Sequence, residues 1–316
     1  MKLTKEWEIH DLSVLEELQL FGPNDKHLRL CEELCGVDLT FRDNKLIVIN
    51  SSEEKTEKVI QLFKSLLEEI RLGKEIDERD IRYLIDHKVN LVDIDQKIQH
   101  KPIGRTNNGK LIYPKTIGQT KLVKSFQDYD ITFVIGPAGT GKTYLSVVYA
   151  CSLLKNNEIN KIILTRPAVE AGESLGFLPG DLKEKVDPYL RPIYDALNDC
   201  LGVEQVSKLM EKEVIEVAPL AYMRGRTLDD ALIILDEAQN TTLLQMKMFL
   251  TRLGFKSKMI INGDITQIDL KDGQSGLIKA KSILADIKDI SFIELNSSDV
   301  VRHPLVQKII EAFGRI

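Results

Sequence analysis

Eight consecutive residues restrict the fold of this chain more than any other feature: Gly136-Pro137-Ala138-Gly139-Thr140-Gly141-Lys142-Thr143. They follow the apolar run ITFVI, Ile131 to Ile135, and precede a helical stretch, Tyr144 to Leu154. Strand, glycine-rich turn and helix thus stand in the order a phosphate-binding loop requires. In such a loop the glycines let backbone N–H groups curl around an anion at the helix N-terminus. Lys142 reaches the terminal phosphates and the Thr143 hydroxyl ligates the metal. The implied ligands are ATP or a close relative, with Mg2+.

Around the loop, short apolar runs alternate with amphipathic stretches. The runs are ITFVI, KIILT, VIEVA, ALIIL, KMIIN and SFIEL, which predict the central strands of a parallel sheet with helices on both faces. A chain of 316 residues with 43% apolar residues is long enough for two folded units. Toward the N-terminus, Asp25 can cap a helix running to Gly36. DLTFR and KLIVIN flank the turn pair Asp43-Asn44, and residues 52–72 repeat apolar positions at helical spacing up to Gly73. The segment from about 12 to 72 therefore reads as a small helix, strand, strand, helix module. A charged helix, Asp77 to His87, and a polar stretch from Asp93 to Lys115 follow, read as a linker or lid. The expected boundaries are 1–75 for the small α+β domain, 76–115 for the helix and linker, and 116–316 for the nucleotide-binding domain.

Two further motifs end predicted strands. After ALIIL come Asp236-Glu237-Ala238-Gln239. At a strand's C-terminal edge beside the loop, Asp236 can hold the metal's water shell and Glu237 can polarise an attacking water. The plainer alternative is an acidic helix cap. A base that activates water would waste nucleotide in a small-molecule kinase, so the pair favours hydrolysis over phosphate transfer. After KMIIN, the residues Asn262-Gly263-Asp264-Ile265-Thr266-Gln267 put polar groups where Gln267 or Asn262 can sense the γ-phosphate, or else form a plain turn. Thr116 to Gln119 precede the first core strand, where the Gln119 amide can read the adenine edge.

Acidic residues outnumber basic ones by 48 to 43, so any nucleic-acid site must be a local patch. Cys31, Cys35, Cys151 and Cys200 are too scattered for a disulfide framework or zinc site and read as core residues in a reduced cytoplasm. No apolar run approaches the ~20 residues of a membrane span.

The GPAGTGKT, DEAQ and GDxxQ trio resembles the superfamily 1 helicase core. More closely, the chain resembles the PhoH family of ATPases, through TRPAVEAGESLGFLPGD at 165–181, APLAYMRGRTL at 218–228, LKDGQSGL at 270–277 and VVRHPLV at 300–306. The resemblance covers nearly the whole chain and implies a single RecA-like ATPase core with RNA-linked roles. Helicases of that superfamily hydrolyse ATP between two such lobes, one bringing the phosphate loop and the other an arginine. Residues 116–316 make one lobe, so the resemblance implies an oligomer, a hexameric ring, in which another subunit supplies the arginine finger. Arg302 is the first candidate. Arg224 and Arg226, flanking Gly225, are fingers or contacts to a nucleic-acid backbone. Arg166 sits where the helicase relatives touch the strand's backbone. The N-terminal module resembles KH-like RNA-binding domains, in which a G-x-x-G loop joining two helices clamps nucleotides. Here the loop reads Gly22-Pro23-Asn24-Asp25. Asp25 replaces the second glycine with negative charge, which leaves RNA binding and a packing or assembly role both open.

Overall fold

The computed structural model describes residues 3–50, 52–71, 73–86, 102–167, 190–270 and 274–301, together with 306 and 309. It divides into two units, Met1–Lys101 and Pro102–Ile316.

In the first unit, β1 (Leu3–Glu8), α1 (Val14–Phe21), α2 (Lys26–Cys35), β2 (Asp38–Arg42), β3 (Lys45–Asn50), α3 (Glu53–Arg71) and α4 (Glu78–Asp86) follow in order. The sheet is antiparallel with strand order β1-β3-β2. Its hairpin turns through Asp43 and Asn44, whose φ values of 51° and 57° are the left-handed pair that a tight two-residue turn needs. Leu46 and Val48 point to the covered face, where Phe63 and Leu66 of α3 and Leu20 and Phe21 of α1 close the core. The strand β1 was not expected. Asp25 does stand at the start of α2, but with φ 58° and no side-chain cap, because a left-handed backbone turns its carboxylate away from the helix amides.

The second unit begins with a hairpin, β4 (Gly104–Arg105) and β5 (Leu111–Ile112), followed by α5 (Ile117–Asp128), β6 (Ile131–Ile135), α6 (Lys142–Lys155), β7 (Lys161–Arg166), α7 (Arg191–Leu201) and α8 (Val203–Glu211). Then come β8 (Ile215–Pro219), β9 (Ala231–Leu235), α9 (Leu243–Leu250), β10 (Lys258–Gly263), α10 (Gly276–Leu284) and β11 (Ile290–Glu294). All six expected strands form one parallel sheet in the order β11-β6-β10-β9-β7-β8. Both faces are covered. Along β9, Leu232 and Ile234 face a core shared with α5, α6 and α7, while Ala231, Ile233 and Leu235 face one shared with α9 and α10. This is the parallel, helix-flanked sheet of the RecA-like P-loop class.

Of the described residues in the stretch 76–115, those at 76–86 fall in the first unit and those at 102–115 in the second. Ile81 of α4 is fully buried in the first core, and Ile103 at the head of the β4–β5 hairpin is buried in the second. Gly104 allows that hairpin to lie on α6, since a Cβ there would come within 2.9 Å of Val148. Residues 87–101 lie outside the described residues. Cys31, Cys151 and Cys200 are buried and Cys35 is half-buried. Among the described residues no helix is long and apolar enough to cross a membrane.

Candidate active site

The carboxyl ends of parallel strands gather the motifs, as they do in open α/β sheets generally. Between β6 and α6, Gly139 and Gly141 adopt φ of 88° and 80°, a backbone that side chains rarely tolerate. The Thr140 hydroxyl turns inward and donates to the Pro137 carbonyl at 2.9 Å. Lys142 Nζ donates to the carbonyls of Gly136 at 2.6 Å and Pro137 at 2.9 Å, so its charge stays at the loop.

Two strands away, β9 delivers Asp236. Its backbone N–H donates to the Thr165 carbonyl on β7 at 2.9 Å, and its carboxylate accepts from the Thr143 hydroxyl at 2.9 Å. Burial, and then the charge of Glu237, raises the Asp236 pKa. A cation would offset both effects. A buried carboxylate converging with a hydroxyl is a hard-oxygen pair that fits Mg2+.

Glu237 follows with φ 54°, a left-handed backbone that turns its side chain away from that of Asp236. One carboxylate oxygen accepts from Gln239 Nε2 at 2.5 Å, and the other lies 3.6 Å from a guanidinium nitrogen of Arg166 at the end of β7. Gln239 is fully buried and links two motifs. It also donates to the Gln267 carbonyl at 3.1 Å and accepts from the Asp264 N–H at 3.0 Å. The exposed Gln267 donates its amide to Asp264 at 2.8 Å. Asn262 is not available as a γ-phosphate sensor. It is fully buried and paired with Ser146 of α6 at 3.2 Å, because it shares a face of β10 with Ile260.

Gln119 is also buried, and its amide is engaged with main chain: the oxygen accepts from the Lys115 N–H at 2.7 Å and the nitrogen donates to the Thr140 carbonyl at 3.0 Å. It braces the phosphate loop. Asp299 was missed by sequence reasoning. Only 3% exposed, it accepts from the Thr116 hydroxyl at 2.6 Å, the Gly118 N–H at 3.1 Å and the Asn296 N–H at 3.0 Å. Two residues on, the Val301 N–H donates to the Gly139 carbonyl at 3.0 Å, so the loop is held from both flanks. The only sequence signal for Gln239 was its place as the last letter of DEAQ; Asp299 had none.

The remaining arginines part company. Arg226 is committed to Glu216 in a two-pronged pair at 2.5 and 2.7 Å, which raises its pKa. Arg224 is exposed in the loop beyond β8. Arg302 and most of TRPAVEAGESLGFLPGD lie outside the described residues. In the first unit, the Gly22–Asp25 loop does join α1 to α2; Asp25 is exposed there, and Lys26 pairs with Glu78.

The family model described as "PhoH-like protein" matches residues 111–314. The PhoH-like protein of Bacillus subtilis (strain 168) is 57% identical over 302 residues, taking in 95% of this chain and 94% of that one. The PhoH-like protein of Synechocystis sp. (strain ATCC 27184 / PCC 6803 / Kazusa) is 48% identical over 301 residues, taking in 94% of this chain and 91% of that one. Among solved structures, the UvsW helicase from bacteriophage T4 aligns with a TM-score of 0.35 and 14% identity, over 66% of this chain and 68% of that chain. That last likeness is too slight to bear on function.

Proposed function

The chain belongs to the PhoH-like protein family, and from that premise we propose that it is an Mg2+-dependent ATPase that couples hydrolysis to binding or remodelling single-stranded RNA. The observation that carries this reading is the 2.9 Å bond between Thr143 and Asp236 with Glu237 next in the chain. It joins a phosphate loop, a metal-holding oxygen pair and a base within one edge of the sheet. In this reading the loop amides and the N-terminus of α6 cradle the phosphates, and Lys142 turns from the loop carbonyls to the terminal phosphate. Thr143 and Asp236 would hold Mg2+, which supplies charge neutralisation to the phosphate oxygens when bound. Glu237 orients a water and takes its proton. Gln239 transmits the state of the Asp236–Glu237 edge to the Asp264–Gln267 loop, and Gln267 reads the terminal phosphate. Arg166 and Arg224 contact the RNA backbone. We assign the protein to the cytoplasm, a reading its four free cysteines support.

The described residues of the second unit form one parallel-sheet lobe, and on that basis we propose a homo-oligomer, a hexameric ring, in which Arg302 of one subunit faces the nucleotide of the next. A second reading is a nucleotide-dependent assembly switch without RNA. Asp25 in the N-terminal loop, with Lys26 paired to Glu78, favours that reading for the first unit.

The deciding experiment is steady-state ATP hydrolysis by the purified protein, with and without single-stranded RNA, across a salt series. Stimulation that fades as salt rises is the expected outcome. A rate indifferent to RNA at every salt concentration would favour the switch.

A further inference from the structure

The glycines that let the phosphate loop curl also leave it free to turn the wrong way. Gly139 and Gly141 both have positive φ, and glycine passes between left- and right-handed backbone with little penalty. The two peptide planes between them, 139–140 and 140–141, can therefore flip. In a trans peptide the carbonyl of one residue and the N–H of the next point in opposite directions, so a flipped plane puts a carbonyl oxygen where an amide donor stood. Toward a triphosphate, that replaces attraction with repulsion.

Both planes are held from outside the loop. The Gly139 carbonyl accepts from the Val301 N–H at 3.0 Å, and the Thr140 carbonyl accepts from Gln119 Nε2 at 3.0 Å. The N–H groups of Thr140 and Gly141 are thereby turned to the opposite face of the loop. Asp299 joins the two holding arms. Its carboxylate takes the Thr116 hydroxyl and the Gly118 N–H at the head of α5, and the Asn296 N–H in its own segment. Thr116 in turn accepts from the Gln119 N–H at 3.0 Å. Glycine at 118 permits this close approach, since a Cβ there would collide with both Asp299 oxygens. Gln119 and Asp299 are 4% and 3% exposed, so little water reaches these bonds to replace them.

We propose that Gln119 and Asp299 are positioning residues that fix which way these two peptide planes face, and so set the affinity of the site for the triphosphate chain and not for the base. This rests on the proposed function above and assigns the Gln119 amide to the phosphates in place of the adenine edge. Each residue acts through the loop main chain.

The test is displacement of a fluorescent, ribose-labelled ATP analogue from the full chain, in Mg2+, by ATP, GTP and inorganic tripolyphosphate. Gln119→Ala removes one arm. Gly118→Ala suits the helix but pushes the Asp299 carboxylate off it, and Asp299→Asn sets an amide nitrogen against one of the three donors. Each variant is expected to bind all three competitors about 5- to 10-fold more weakly than wild type, by one common factor, the scale of a lost buried hydrogen bond. The KM for ATP should rise by that factor while kcat changes less than about 2-fold. A Gln119→Ala variant that loses affinity for ATP yet keeps it for tripolyphosphate would overturn the positioning role and return the amide to the base. Unchanged affinities in Gln119→Ala and Gly118→Ala, with only the unfolding temperature lowered, would overturn it too, as would tripolyphosphate that cannot displace the analogue from wild type. A wild type that binds nucleotide and tripolyphosphate without hydrolysis would refute the proposed function alone; one that binds neither would refute both.

Discussion

Asp236 and Glu237 are adjacent in sequence, yet their carboxylates meet different partners because one backbone torsion separates them. The left-handed φ of 54° at Glu237 costs about 1 kcal/mol for a residue with a side chain. In return the first carboxylate lies inward on Thr143 and the second toward Arg166 and Gln239. Glu237→Gln keeps the shape and removes the proposed base. We expect nucleotide affinity, read by fluorescent-analogue titration, to persist, while phosphate release falls by roughly 10²-fold or more. Undiminished turnover would exclude Glu237 as the base. That the loop, Asp236 and Glu237 would lie together at strand ends was legible because each is a short string ending a strand. Gln239 and Asp299 were not, because their meaning lies in partners 25 to 28 and 181 to 183 residues away. Asn262 could have been read correctly: strand alternation puts it on the face of Ile260, under α6.

At the level of elements, the six central strands were legible because a parallel sheet covered on both faces writes continuous apolar runs into the sequence. β1 was not, because LTKEWE is an edge strand with half-buried positions only at Lys5 and Trp7, so its charges hide the alternation. The two-residue strands β4 and β5 are too short to leave any pattern. Gly136 exposes another constraint between elements. A Cβ there would lie 2.8 Å from both the carbonyl oxygen and Cβ of Leu295, just past β11. The main chain of Leu295 is itself fixed by donation to the Ile135 carbonyl at 2.8 Å, so it cannot simply move aside. Gly136→Ala is therefore expected to destabilise the second unit by about 1–3 kcal/mol, the usual cost of overpacking. Urea unfolding would measure it, and an unshifted midpoint would mean that Leu295 can yield.

For the whole molecule, the proposed ring with an arginine finger is tested by mixing two variants. Lys142→Ala should weaken nucleotide binding and silence a subunit's own site, while Arg302→Ala should silence a neighbour's if the finger acts in trans. Mixing the two inactive variants would then restore part of the activity, since some sites in mixed rings hold both residues. Absence of rescue at every ratio would count against a finger acting in trans. The strand order carries a further consequence, for synthesis. The loop-bearing strand β6 lies between β10 and β11, both made long after it. On a ribosome it emerges with two bare edges and waits on the order of ten seconds for its neighbours, at ordinary elongation rates. Only a chain extended past Val301 has both clasps on the phosphate loop, the bonds from Gln119 and from Val301. Until then an unpaired apolar strand is open to any sheet edge it meets, which makes slow translation of this stretch a hazard rather than a help.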